Sequence, residues 1–484
     1  MAASSTPRSR NAPSAGWDKA AFLALLGTAV WAPMPLGSNR AWAVGLLAIA
    51  LWLALITVLV GSSLAGHRGA QQRVMQAAGP LILMALFAGL LVGQLWSPGP
   101  IAGLLHTADA FQTRVYLLTS LALLAAFALA VACVTTPRRA TWLLATLVGA
   151  GVLQALIAVA LASTGATYQF MFAEFDQRGR ATGTFVNPDH LAGYLELCLS
   201  AGLGLMLAQF GGDAVQARGW QQRLALALGF LLSGKMVLRM MLVTMVVALV
   251  MTHSRMGNGA FFFALLLIGS LVAVVSQRLR KPALWLVASM ALIDIIIVGQ
   301  WVGLDRVVER LKDTAESSMV AGATPGTSNV IAPVQREESV QDRLRIPRLS
   351  LPLIAQKPWF GHGGGTYYLS LPAIKPAGFP LLWDHAHNDF VELATDTGLV
   401  GLALLIVLGA STAWRAGRML RDVEPRLKRG VGVAALMAIC SISLHGMVDF
   451  NLQIPANAFT LVLLMALVWT TPDNGALPQP GHRH

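Results

Sequence analysis

The stretch DHAHNDFVELATDTGLVGL, residues 384–402, sets two histidines, three aspartates and a glutamate immediately before an apolar run. Reading forward, GLVGLALLIVLGA (398–410) has the uncharged character of a membrane-spanning helix. Reading backward, the chain runs into a long hydrophilic tract. The stretch is therefore a junction where a polar segment enters hydrocarbon, and it asks why so many ionisable groups stand at the mouth of an apolar helix.

The rest of the chain repeats the apolar half of that pattern. Of 484 residues, 55% are hydrophobic and only 12% charged, and mean hydropathy is +0.62. A soluble domain of this length needs more charge to cover its surface. Apolar runs of roughly 18–22 residues recur from end to end. The expected fold is an all-α polytopic membrane protein with about twelve transmembrane helices. Their centres fall near Leu26, Leu51, Leu86, Leu124, Val148, Leu197, Val243, Leu267, Ile293, Leu404, Ala438 and Leu463. No inverted repeat is evident. The cysteines Cys133, Cys198 and Cys440 lie in or beside apolar runs without metal-type or disulfide-type spacing.

The net charge of +12 reads as orientation, since no basic stretch is long or interleaved with aromatics as nucleic-acid binding requires. Clusters at Arg8/Arg10/Lys19, Arg68/Arg73, Arg138/Arg139, Arg218/Arg223/Lys235/Arg239, Arg278/Arg280/Lys281 and Arg415–Arg429 all fall on one side if the spans alternate. That side is cytoplasmic by the positive-inside rule, and both termini join it. The organisation expected is a cytoplasmic tail over 1–19, helices one to nine over 20–303, an external periplasmic loop with short helices over 304–386, helices ten to twelve over 387–472, and a C-terminal tail over 473–484. Residues from about Arg223 to Leu232 are too short to span and read as an interfacial segment.

Polar groups then collect on the outer side. In EFDQRGRATGTFVNPDHLAGYLEL, Asn187 suits a helix cap and Pro188 the first helical position. Arg178 and Arg180 precede that start, and headgroup anchoring explains either arginine alone. Glu174 and Asp176 fit a solvated loop better than a cation site. In THSRMGN (252–258), Arg255 sits at the membrane edge, where snorkelling and a functional role compete. Arg336, Arg343, Arg345 and Arg348 suit a solvated helix face. The turn GHGGGTYY (361–368) offers backbone N–H groups to an anion, although a tight Gly-rich turn is the default. His385 and His387, flanked by Asp384, Asn388 and Asp389, can move protons or bind a metal. In HGMVDFNLQIPANA (from His445), Asp449 and Asn451 read as caps of the turn into the last span.

His387-Asn388 followed after nine residues by Gly398-Leu399-Val400-Gly401 resembles the signature of bacterial O-antigen ligases and related lipid-linked polysaccharide polymerases. TGTFVNPDHLAGYLEL, THSRMGN, KPWFGHGGGTYY and VDFNLQIPANA are similar to blocks of the same superfamily in the same order, so the resemblance runs from about Trp31 to about Ala466. It implies a GT-C-like membrane glycosyltransferase, inverting and metal-independent with no cofactor. Such an enzyme takes an undecaprenyl-pyrophosphate-linked glycan as donor and lipid A-core or a growing glycan as acceptor, at the periplasmic face of the inner membrane. The resemblance makes His387 the catalytic histidine, with His385 beside it. It assigns Arg180, Arg255 and Arg343 to the pyrophosphate, supported by Asn388, Asp384, Arg178, Gly398 and Gly401. Ligase, repeat-unit polymerase and protein-glycosylating members share these blocks. The loop before the tenth span carries an extra tract, 321–334, which leaves the acceptor open.

The chemistry suits the residue types. Pyrophosphate leaves without an acid, so charge on its oxygens is what needs stabilising, and the arginine fork matches two such oxygens. A sugar hydroxyl needs a base, which imidazole supplies near neutral pH. His387 is the base expected, with His385 or Asp384 orienting it. The rivals are a secondary transporter, which would use mid-span charges such as Asp294, Glu196 and Glu392, and a metal-dependent hydrolase built on His385 and His387.

Overall fold

A computed structural model describes residues 16–66, 68–96, 105–165, 169–170, 173–174, 179–209, 233–276, 280–281, 284–285, 287–289, 340–374, 384–421 and 426–470. In chain order the helices are α1 (Gly16–Trp31), α2 (Ala41–Leu64), α3 (Gly69–Gln76), α4 (Ala78–Trp96), α5 (Ala110–Cys133), α6 (Pro137–Thr164), α7 (Pro188–Ala208), α8 (Gly234–Met251), α9 (Arg255–Val275), α10 (Val340–Gln356), α11 (Tyr367–Ser370), α12 (Asp389–Met419), α13 (Arg426–His445) and α14 (Pro455–Thr470). The only strands among the described residues are a two-residue pair, Gln169–Phe170 against Ala173–Glu174.

Among the described residues nine helices (α2, α4 to α9, α12 and α13) are long and apolar enough to cross a membrane. The expected spans around Leu26 and Leu463 correspond to α1 and α14, of 16 residues each. The span expected at Ile293 and the tract 321–334 lie outside the described residues, as do Arg178, Asp176 and Arg336. The outward faces of α2 and α9 expose Leu46, Ile49, Leu53, Ile56, Phe263, Leu266 and Leu267. A soluble protein would not tolerate such faces, but lipid tails are their natural solvent. The chain is a multi-pass membrane protein.

Helix starts follow the sequence. Asn187 accepts from the N–H of Asp189 at 2.9 Å with Pro188 at the first helical position. Ser254 caps α9 through the N–H of Gly257 at 3.1 Å, and Asn388 caps α12 through the N–H of Val391 at 3.0 Å. α7 is the hub, with every residue from Asp189 to Leu207 buried. It packs against α13 at a glycine crossing. A Cβ on Gly204 would stand 2.3 Å from the carbonyl oxygen of Gly430, and one on Gly430 would stand 2.4 Å from that of Gly204. Small residues there let the two backbones approach as closely as membrane helices do.

The bundle has two unlike ends. One carries the basic loops: Arg139 grips Asp18, Arg73 donates to the Ala132 carbonyl, and Arg138, Arg415 and Arg418 lie over Trp142, Trp469 and Trp414. The other end collects the starts of α7, α9 and α12, the end of α13 and the segment 340–374.

Candidate functional site

That second end is organised by α12. Its first two turns carry Asp389, Glu392 and Asp396, all buried, and each carboxylate holds a different loop. Asp389 accepts the Leu452 N–H on both oxygens, at 3.2 and 3.1 Å. Glu392 accepts from the His385 ring at 2.7 Å and from the Ala386 N–H at 2.8 Å. Asp396 accepts the Gly365 N–H at 2.8 Å. The acidic residues at the helix mouth therefore act as anchors for loops, all taken from the start of one helix where its dipole favours negative charge.

α12 then breaks at Gly398, whose φ of 69° and ψ of −179° belong to a region only glycine enters readily. The segment 358–363 fills the break. Leu399 N–H donates to Pro358 O at 2.7 Å and Val400 N–H to Trp359 O at 3.2 Å, while His362 and Gly363 N–H groups donate to Thr395 and Asp396 carbonyls at 2.9 Å each. Backbone groups that a kink would leave bare are thus satisfied by protein, as irregular backbone within a membrane bundle requires where no water reaches it. Gly401 lies a turn beyond, where a Cβ would press on Thr397 and Leu90.

This arrangement decides between the two readings of the Gly-rich turn. The Gly-rich turn does not cradle an anion, because its N–H groups are already used. Besides the bonds above, Gly361 donates to Lys357 O at 3.1 Å and Gly364 to Gln94 Oε1 at 3.0 Å. The default reading, a tight turn, is the one the geometry shows. Tyr368 Oη also donates to Asp109 at 2.5 Å, which holds the Asp109 carboxyl below its ordinary range and pushes the Tyr368 phenol up to about 12.

The histidines meet around one aromatic ring. His385 stacks on Phe450 with centroids 3.8 Å apart and planes 10° apart. His190 and His387 stand edge-on to the same ring at 4.6 and 5.1 Å. Beside them Asp449 is fully buried. Its Oδ1 lies 4.0 Å from His387 Nδ1 and 3.9 Å from His190 Nε2, and its Oδ2 lies 3.8 Å from His445 Nε2. His445 Nδ1 is 2.7 Å from Glu196 on α7. His387 itself has φ +48°, a left-handed conformation uncommon outside glycine, and Asn388 Nδ2 pins the turn by donating to Met447 O at 2.7 Å. Burial lowers the His385 pKa, but the Glu392 charge and hydrogen bond, with Asp384 and Asp396, outweigh it and raise it to about 9. The Glu392 contact therefore favours the protonated His385 ring at neutral pH.

Arg180 and Arg255 stand at this end of the bundle. Arg180 donates from Nε to Thr252 O at 2.9 Å and pairs with Asp189 at 3.3 Å. This joins the block before α7 to the block between α8 and α9. Arg255 is exposed at the start of α9, two residues before Gly257, whose Cβ position is 3.1 Å from His445 Cε1. Arg180, Arg255 and His387 thus share one end of the bundle. Arg343 is in α10, one turn before Ile346, which packs with Tyr367, Leu371 and Ala386. Arg345 and Arg348 are exposed, as a solvated face requires, and so is Asp384.

Sequence reasoning missed His190, Glu196, His445 and Phe450 as members of the cluster and treated Asp449 as a cap. Asp449 does accept the Phe450 N–H at 2.8 Å, but the carboxylate also faces three imidazoles. The available signal was position: His190 and His445 stand at the outer ends of their predicted spans, level with His387. No group of residues suited to holding a metal occurs among the described residues.

The O-antigen ligase family model matches residues 240–406, which bears out the resemblance over the segment holding Arg255, Arg343, Asp384, His385, His387, Asn388, Gly398 and Gly401. Arg180, His445 and Asp449 lie outside that match. No curated protein matches the chain.

Proposed function

From the premise that this chain is a membrane protein of the O-antigen ligase and polysaccharide polymerase superfamily, we propose that it transfers a glycan from an undecaprenyl-pyrophosphate donor to an acceptor hydroxyl on the periplasmic side, as a ligase acting on lipid A-core. The observation that carries the reading is that His387, Arg180 and Arg255, far apart in sequence, stand at one end of the bundle, opposite the basic loops. By the positive-inside rule the end away from the basic loops is read as periplasmic, which supports a site at the outer leaflet of the inner membrane.

The donor's lipid tail lies among the exposed apolar helix faces and brings its pyrophosphate to the rim. Arg255 and Arg180, with Arg343 from α10, bind the phosphate oxygens and stabilise the charge that develops there, which removes the need for a metal. His387 takes the acceptor hydroxyl proton as that oxygen attacks the anomeric carbon from the side opposite the leaving group. The bond from anomeric carbon to phosphate oxygen breaks, undecaprenyl pyrophosphate departs with its electron pair, and the anomeric configuration inverts. Asp449 orients His387 through Nδ1, leaving Nε2 as the base. Their 4.0 Å separation closes, directly or through a water, when substrate fills the site. His385, a cation held by Glu392, adds positive charge beside the pocket.

Deletion of the gene in its native host, followed by gel analysis of surface glycan, tests the proposal. Free lipid-linked polymer with bare lipid A-core is expected. Single-repeat products would assign the chain to repeat-unit polymerisation instead.

A further inference from the structure

Glu196 and Asp449 are carboxylates with no exposed surface, and neither touches the substrate pocket as drawn above. Carboxylates taken out of water need a counter-charge. Histidines face both of them: His445 stands beside Glu196, and His190, His387 and His445 stand around Asp449. His445, also fully buried, is the one that reaches both, with Nδ1 at 2.7 Å from Glu196 and Nε2 at 3.8 Å from Asp449. A neutral imidazole has a single N–H. Whichever carboxylate it served, the other ring nitrogen would aim a lone pair at an anion. A doubly protonated ring hydrogen-bonds Glu196 at 2.7 Å and turns a positive edge to Asp449 at 3.8 Å.

Resting on the glycosyltransferase reading, we infer that His445 is a positioning residue, an imidazolium clamped between Glu196 and Asp449 that keeps Asp449 ionised and aimed at His387. The clamp joins three elements: Glu196 comes from the middle of α7, His445 ends α13, and Asp449 stands in the turn four residues later. The other ionisable groups around it are accounted for. Asp189 is engaged by Arg180, Asp389 by the Leu452 N–H, and His190 and His387 face the opposite oxygen of Asp449. From α9, Gly257 closes the His445 ring on its remaining side. With Asp449 held as an anion, its Oδ1 presents a negative charge to His387 Nδ1 across 4.0 Å, and once that gap closes it fixes the tautomer whose Nε2 takes the acceptor proton, as a buried carboxylate does for a catalytic imidazole elsewhere.

The experiment uses the full chain in nanodiscs with 15N-labelled histidine. The His445 signals are assigned by their loss in His445→Gln, and solid-state spectra are recorded across pH. Both ring nitrogens of His445 are expected to be protonated at pH 7.5 in the wild type, and that state is expected to be lost in Glu196→Gln. A neutral His445 ring in the wild type overturns the inference without touching the proposed function.

Transfer is then followed with lipid-linked glycan extracted from the host. His445→Gln and Glu196→Gln are expected to lower kcat about 10- to 100-fold with KM for donor little changed. The acid limb of the rate–pH profile is expected to move to lower pH, because without the clamp Asp449 no longer presents its negative charge to the His387 ring. A fall in folded protein or melting temperature with the limb unmoved marks a structural role and overturns the inference. Full transfer by His387→Ala would instead remove the base assignment. Glu196→Gln, which preserves shape and hydrogen-bonding capacity, covers the case in which His445→Gln does not fold.

Discussion

Replacing Gly398 by Ala tests whether the break in α12 and the segment docked into it form one unit. A Cβ there would lie 2.2 Å from both the carbonyl carbon and oxygen of Trp359 and 2.4 Å from the Phe360 nitrogen. These are backbone atoms, so no side-chain rotation relieves the clash. The backbone angles alone cost an alanine about 1–3 kcal/mol. Displacing segment 358–363 forfeits the four hydrogen bonds that fill the break, each contributing about 1 kcal/mol net. The loss is therefore about 2 kcal/mol if the segment shifts with its bonds intact, and about 6 kcal/mol if all four are broken.

Gly409→Ala is the internal control. It lies in the same helix with nothing within 4 Å of its Cβ position, so a small gain, about 0.5–1 kcal/mol, is expected there. Denaturant unfolding in detergent, followed by intrinsic tryptophan emission, reads both variants, with Trp359 at the perturbed place. Equal stabilities for Gly398→Ala and Gly409→Ala would show that the docking of 358–363 contributes nothing and would refute the reasoning.

His387→Ala is expected to insert normally and to lose transfer by about 100- to 10,000-fold, read by surface-glycan gels beside a membrane-fraction blot; normal glycan would remove it as the base. Phe450→Ala is expected to cost about 3–5 kcal/mol and to abolish transfer although phenylalanine carries no proton, because His190, His385 and His387 all lose the ring they pack on; activity near wild type would mean that the ring does not position them. The His385 pKa of about 9 exceeds the ordinary 6.5, so protonated His385 contributes stability in full below pH 6.5, and that contribution disappears as pH rises through 9. The melting temperature should therefore fall more steeply between pH 7 and 9.5 for the wild type than for His385→Gln, and parallel curves would contradict this. Arg180→Lys keeps the charge but cannot both donate to Thr252 O and pair with Asp189 through a fork. Its KM for donor should rise, with an unchanged KM as the contrary result.

Much of the bundle was legible because its signals are local. Apolar runs, Asn187-Pro188, Ser254 and Asn388 each announce a helix from a few neighbouring residues, and described helices occur at all the expected centres except Ile293, which lies outside the described residues. The site was only partly legible, because its partnerships join residues far apart in sequence. Nothing near Glu196 in sequence says that its partner is His445, and VDFN reads as a turn whether or not Asp449 faces three imidazoles. The Gly-rich turn left two readings open for a related reason. Glycines that invite an anion look the same as glycines that admit a neighbouring backbone, and only the partners of their N–H groups tell the two apart.

The enclosure of α7 bears on how the molecule is made. α7 and α13 are the most buried of the nine long apolar helices and also the least apolar, and between them they hold the Glu196–His445 pair, 249 residues apart in sequence. During synthesis the earlier member enters the lipid long before the later one exists. The nascent chain must shelter that carboxylate until α13 arrives, so the interior sets only after α13 has left the ribosome, and truncations that stop short of α13 should be recognised by quality control as unfinished.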